Sequence, residues 1–457
     1  MSYTDFYLTP TGSNLNSGST TDNSALYTST SGDWGVTLAN AYTVGSGTPF
    51  ASVTVGMWAS VFTSGGTATS YVAQVTAVNS GGNQIVLSAT AKFGTAPTNA
   101  SSSRTCYVGG AWGQSSGVAN FVQPASCMNT GAITVSTRVN IKAGTYPNTT
   151  SSRSIQTTGL ATNPLWFRGY KTTPGDQDGN SLGVAGTDIP SITFTTGNLA
   201  FGQYTILSNV DITGATVTNG QLYISNNFFS AYHVRVTNTG ANSAGIAVKV
   251  SGNAVALTNC IFTATGTATE AVLVSGVGFT LIGCVVSGGV IGVQNSSSAC
   301  FINNVFTGQQ GDSINLTGSP VYVAGNSIYS PIGNGVNITV TPSSGILVYN
   351  NYFDSVNQTS KAGINNTSGT SSMLIHAVAN AYYNCTATRG SISEDFNVFD
   401  LAAWSSSGFV NGSGGNFAMN PIYQGLGFPG TLETISAYAG YMTHGAVKPN
   451  PAKYFAG

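Results

Sequence analysis

The chain has 457 residues, of which only 6% are Asp, Glu, Lys or Arg, against roughly 25% in ordinary soluble proteins. Thirteen basic and fourteen acidic residues give a formal charge of -1, and no Lys/Arg cluster interrupts the sequence. This excludes a nucleic-acid binder, whose affinity comes from a basic footprint on phosphates. No apolar run reaches the ~20 residues that a helix needs to cross a bilayer. Gly, Ser, Thr and Asn take the places of the missing charges and favour turns over long helices.

In chain order, the start Met1-Ser2-Tyr3-Thr4-Asp5 shows no basic and apolar leader, which predicts a protein made and kept in the cytoplasm until assembly. Val53–Phe62, Tyr71–Val78 and Gln84–Leu87 read as strands separated by Gly/Ser/Asn turns. They predict a small barrel or sheet module at about 50–98, inside an N-terminal region 1–112, with 94–105 as a linker or long loop. The first coils of a longer stack are expected from 113, with a protruding Pro/Gly/Asp loop at 171–190.

Between about 199 and 366 the sequence repeats. One unit reads apolar-x-apolar-x-x-(Asn/Cys)-x-apolar. Its copies end in Asn227 and Phe229, Cys260 and Phe262, Cys284 and Val286, Asn304 and Phe306, Asn326 and Ile328, then Asn351 and Phe353. A second unit alternates with it: Ile246 and Val248, Val272 and Val274, Ile291 and Val293, Ile314 and Leu316, Val336 and Ile338, with Gly363-Ile364 opening a sixth. Period 2 makes each unit a short strand with one face inward. Two or more such strands make a coil of about 20–25 residues, and only stacked coils bury a continuous core.

The fold class predicted is therefore all-β: a right-handed parallel β-helix over 113–369, carrying the small N-terminal β module and followed at 370–457 by the last coils and an irregular, aromatic-rich C-terminal cap. A sandwich would need hairpins every 8–12 residues, and a propeller a repeat of roughly 40–50. The stack places Phe229, Phe262, Phe306 and Phe353 in one interior ladder. A corner ladder of amides follows from Asn227, Asn304, Asn326 and Asn351, with Cys260 and Cys284 in the same column as small buried residues.

Several segments resemble the right-handed parallel β-helix (pectate-lyase-like) superfamily. Phe6 through Gly18 is similar to its opening strand and glycine turn, Lys142-Ala143-Gly144-Thr145-Tyr146 to a recurrent strand end, Asn163 through Gly169 to the strand that follows, and Gly445-Ala446-Val447 to a short terminal motif. The resemblance implies the fold and leaves the activity open, since the superfamily holds lyases, hydrolases, phage tailspikes and adhesins.

Chemistry is sparse. Within the repeats the acids are Asp211, Glu270, Asp312 and Asp354, at different phases of the coil, whereas a glycosidase needs two carboxylates about 5–10 Å apart. The densest group is Glu394, Asp395 and Asp400 with Arg389, the catalytic candidates. Asp176 and Asp178, in a Gly-flanked turn, are the candidates for a cation. His233, His376 and His444 are far apart, no nucleophile or zinc motif occurs, and no cofactor is expected. The sequence predicts a non-enzymatic structural protein of a virion surface: a bacteriophage head fibre, decoration protein or tail spike. Its expected partners are other virion proteins, copies of itself in a trimer, and a host-surface glycan. The alternatives are a polysaccharide-binding or -degrading β-helix of the depolymerase tailspike type and a bacterial surface adhesin or filament subunit.

Overall fold

The computed structural model describes residues 3–13, 16–63, 71–91, 96–113, 136–148, 152–155, 159–179, 182–215, 220–240, 245–265, 269–368, 374–378, 380–390, 409–411 and 416–419. Among these every regular element is a β-strand, and no helix is long and apolar enough to cross a membrane. The fold is a right-handed parallel β-helix. The chain falls into two compact units, residues 1–178 with 183–211, and 179–182 with 212–457.

In the first unit, Tyr27–Trp34, Ala41–Thr43, Trp58–Thr63, Tyr71–Val78, Gln84–Leu87 and Ala100–Val108 close an antiparallel barrel. Its interior holds Trp34, Tyr42, Phe50, Tyr71 and Ile85, all buried. The barrel is thus wider than the 50–98 module read from the sequence, and the supposed linker at 94–105 contributes a strand. Ala100–Val108 looks like a loop because its sequence is rich in Ser and Thr; Arg104, Cys106 and Val108 are buried. Burial pushes the Cys106 thiol far up, so it is an inert core residue.

The barrel is an insertion. Thr4–Leu8, placed before it in the sequence, pairs in parallel with Thr137–Lys142 after it, from Thr4↔Thr137 to Leu8↔Ile141. Thr137–Lys142 pairs in turn with Leu165–Tyr170, and that strand with the beginning of Thr205–Gly214. Gly144–Asn148 pairs with Pro190–Phe194, and Arg153–Ile155 with Leu199–Phe201. The opening residues therefore belong to the coil stack rather than to a separate N-terminal region.

In the second unit each coil supplies three parallel strands. One column runs Ala256–Thr258, Phe279–Ile282, Ala299–Ile302, Val321–Ala324, Ile346–Tyr349 and Ile375–Val378. The next runs Ile261–Ala264, Val285–Gly288, Val305–Thr307, Ser327–Tyr329, Tyr352–Asp354 and Ala381–Tyr383. The third runs from Leu222–Ile224 through Ile246–Val250 to Ala362–Asn366 and Ala387–Gly390.

The interior ladder is Phe262, Val286, Phe306, Ile328, Phe353 and Tyr382, each at most 1% exposed, with the last two rings stacked 5.2 Å apart. The third column makes room for these rings with small residues. A Cβ at Gly335 would lie 2.5 Å from the Phe353 ring, and one at Gly363 2.5 Å from the Tyr382 ring.

Between the first two columns the chain turns a corner, and the turn explains the recurring Asn and Cys. Asn259, Gly283, Asn303, Gly325 and Asn350 all take φ between 51° and 64°, the left-handed region that Gly and Asn tolerate best. The residue after each of them points inward as a rung. The rungs form one chain of hydrogen bonds: Asn304 N–H to Asn326 Oδ1 at 2.9 Å, Asn326 N–H to Asn351 Oδ1 at 2.9 Å, and Asn351 N–H to Asn380 Oδ1 at 3.0 Å. Each side-chain amide also donates to a strand carbonyl, as Asn326 Nδ2 does to Phe301 O at 2.9 Å. Cys284 and Cys260 continue the column. Cys284 N–H donates to Asn304 Oδ1 at 2.9 Å, and Cys260 N–H to Cys284 Sγ at 3.3 Å. Both cysteines are free thiols.

Two expected rungs lie elsewhere. In the register, Arg235 faces Ile261 and Val236 faces Phe262, so Val234 and Val236 occupy the levels assigned to Asn227 and Phe229. Leu222–Ile224 pairs with Val248–Val250 in the third column instead. Phe229 is buried one strand earlier in the coil, and Asn227 accepts the N–H of Asn253 at a different turn. The apolar-x-apolar signature is common to two columns, so spacing alone does not fix the phase of its first copy.

Candidate functional site

Charge is rare in this chain, so the place where it converges stands out. Outward positions of the first coils bring together Asp5, Arg138, Trp166, Asn140 and Arg168. Period 2 puts Arg138 and Asn140 on one face of their strand, and Trp166 and Arg168 on the same face of the next. The register sets Asp5 beside Arg138, Arg138 beside Trp166, and Asn140 beside Arg168.

The side chains form one network. Arg138 grips Asp5 in a bidentate pair, Nε to Oδ1 at 2.6 Å and Nη2 to Oδ2 at 2.9 Å. Asn140 Nδ2 adds a bond to Asp5 Oδ1 at 2.8 Å. Asn140 Oδ1 accepts Arg168 Nε at 3.0 Å and Nη2 at 2.7 Å, and Arg168 Nη1 reaches Asp178 Oδ2 at 2.8 Å. The indole of Trp166 lies 5.2 Å from the Arg138 guanidinium and 5.1 Å from that of Arg168, with the Tyr3 ring edge-on at 5.8 Å. Its Nε1 donates to Ser208 Oγ at 2.9 Å. Tyr3, Tyr7 and Trp166 are part-buried, so the face is an aromatic and polar shelf.

Electrostatics favour the ionised forms of Asp5, Asp176 and Asp188. Burial opposes ionisation of Asp5, but the bonds from Arg138 and Asn140 overcome it and hold the carboxyl below its ordinary value. Asp176 is likewise lowered against its burial by the N–H groups of Lys171, Thr172 and Thr173, at 2.9, 2.6 and 3.0 Å. Lys171 lowers Asp188 across a 2.7 Å pair. Tyr170, fully buried beside them, has its hydroxyl pushed up to about 12 by burial, with Tyr7 and Asp176 adding to it.

The cation candidates do not make a metal site. Asp178 spans Arg168 and Asn209 Nδ2, the latter at 3.3 Å, while both oxygens of Asp176 take backbone donors. Among the described residues no group of three or more His, Cys, Asp or Glu could hold a metal ion. Glu394, Asp395, Asp400 and His444 lie outside the described residues. Arg389 stands in register with Ile364, at the last level of the third column. Asp211 takes a bond from Ser191 at 2.8 Å. Asp312 is held by three amide donors of Asn334 and Asn337, and Asp354 by Tyr352 and Ser355. His376 lines a shallow groove of about 410 Å³ on the second unit with Cys300, Tyr322 and Leu347. No Asp, Glu, Lys or Arg lines that groove, and burial, then Tyr349 and Cys300, push the Tyr322 hydroxyl up to about 12.

Sequence reading passed over Tyr3, Asp5, Arg138, Asn140, Trp166 and Arg168 as site residues. The signal available was alternation: Arg-x-Asn and Trp-x-Arg on two predicted strands, in a chain otherwise poor in charge.

No family model and no curated protein matches this chain. Solved structures with a similar course include pectate lyase Pel9A, at 15% identity over 71% of this chain and 90% of that one, TM-score 0.46. A mannuronic acid specific polysaccharide family 6 lyase from human gut microbiota follows at 13% identity over 62% and 80%, TM-score 0.40. The tailspike protein of Pseudomonas phage LKA1 has 12% identity over 87% and 70%, TM-score 0.20.

Proposed function

We propose that this chain is a non-enzymatic structural protein that binds a glycan on the outer face of its first coils. The setting that fits it best is a virion surface, as a bacteriophage head fibre, decoration protein or tail spike. The observation that carries this reading is the shelf around Trp166. Aromatic rings that offer an apolar body suit the C–H faces of sugar rings, and the part-exposed carboxylates of Asp5 and Asp178 suit their hydroxyls. The shelf is built on paired strands, which hold a binding geometry better than loops do.

Glycoside hydrolysis by the carboxylates of this face is disfavoured by the same network. A general acid needs a carboxyl raised toward neutrality beside a second, ionised one. Asp5, Asp176 and Asp188 are all held low, and Asp178 is bonded to Arg168.

Retention on a panel of immobilised polysaccharides tests the proposal, with product analysis of the same mixtures. Wild type is expected to bind without generating new chain ends, and Trp166→Ala to lose about tenfold in affinity, near 1.4 kcal/mol. Shortened polymer, or unchanged binding by the variant, would overturn it.

A further inference from the structure

We infer that the glycan taken by this face is neutral. The inference rests on the proposed function and adds the class of ligand. An acidic polysaccharide is recognised by cations that are free to pair with its carboxylates or sulfates. On this face the cations are already engaged. Arg138 is closed by both oxygens of Asp5. Arg168, with its side chain only 7% exposed, has three donors directed at Asn140 and Asp178. Lys171 is paired with Asp188. Lys142 alone of the four has no ion pair among the described residues, and it projects into solvent at the strand end, where screening is strongest.

An incoming sugar carboxylate would therefore have to displace a carboxylate already seated in good geometry. It would gain no net charge pair, and it would strand Asp5 or Asp178. It would also enter a neighbourhood where Asp5, Asp176, Asp178 and Asp188 already balance Arg138, Lys142, Arg168 and Lys171 one for one. Neutral sugars meet none of this cost. An ionised carboxylate has about four lone-pair sites, and those of Asp5 and Asp178 not used by Arg138, Asn140, Arg168 or Asn209 accept sugar hydroxyls. The ring surface of Tyr3 and Trp166 that Arg138 and Arg168 leave uncovered receives the sugar's apolar face.

The experiment compares an uncharged polysaccharide panel with a uronate-containing and a sulfated one, at low and at high salt, using wild type, Trp166→Ala and Lys142→Gln. Neutral polymers are expected to bind with an affinity that changes by less than about twofold with salt, because no ion pair forms across the interface. Lys142→Gln should bind them like wild type, and acidic polymers should bind about tenfold more weakly or not at all. Tight, salt-sensitive binding of an acidic polymer that Trp166→Ala abolishes would overturn the inference and leave the glycan-binding reading standing. Failure of every polymer to bind would sink both.

Discussion

The outer face of the first coils and the inner corner of the later coils solve the same physical problem in opposite ways. Both withdraw polar groups from water and must satisfy them. The corner does so with one residue type repeated: Asn304, Asn326 and Asn351 each donate to the amide oxygen of the Asn one coil on, the last being Asn380. No charge is needed, and each amide is the complement of its copy. The outer face uses unlike residues from distant parts of the chain, with Asp5 and Arg138 separated by an inserted barrel, and binds them by charge. Repetition there would set like charges against one another. The periodic solution builds a scaffold, and the aperiodic one builds a particular surface on it.

The comparison predicts that damage to the corner is a stability effect. Asn326→Leu removes the acceptor of two bonds from Asn304 and the donor to Phe301 O, all buried. Each stranded group costs about 1–3 kcal/mol, so the lower unfolding midpoint of the full chain in urea should be plain. A midpoint shift within error would mean that the amide column is decorative.

A smaller effect of opposite sign sharpens the rule. At Cys284 the column passes through a thiol, a weak acceptor for Cys260 N–H and a weak donor toward Leu257 O at 3.4 Å. Cys284→Asn restores the amide in a neighbourhood already shaped like that of Asn304. The expected gain is about 1 kcal/mol in the same urea titration. A loss of similar size would show that the coils have closed around the smaller side chain and that overpacking outweighs the new bonds.

The same contrast explains what could be read from the sequence. Phe262, Val286, Phe306, Ile328 and Phe353, with Cys260 and Cys284 in the amide column, were legible because a solenoid repeats its interior. The phase of Asn227 and Phe229 was not, since two columns share one signature and only hydrogen-bond register separates them. Asn380 and Tyr382 carry the ladder one coil further, but Ala377 stands where Val348 and Val323 stood, and the pattern fades. Ala100–Val108 hid as a linker because its sequence opens on a run of Ser before Arg104 rather than an apolar alternation, and the partner strand Tyr27–Trp34 that closes the barrel is as polar. The candidate site was the least legible: Asp5, Arg138 and Trp166 become neighbours only through strand pairings across long stretches of chain.

Hydrogen exchange of the full chain, with and without a saturating neutral polysaccharide that it binds, tests the central claim most directly. The account predicts slowed exchange in Thr4–Leu8, Thr137–Lys142 and Leu165–Tyr170, and no slowing on the groove of Tyr322 and Leu347. Protection confined to that groove would place recognition on the wrong part of the molecule and contradict the account.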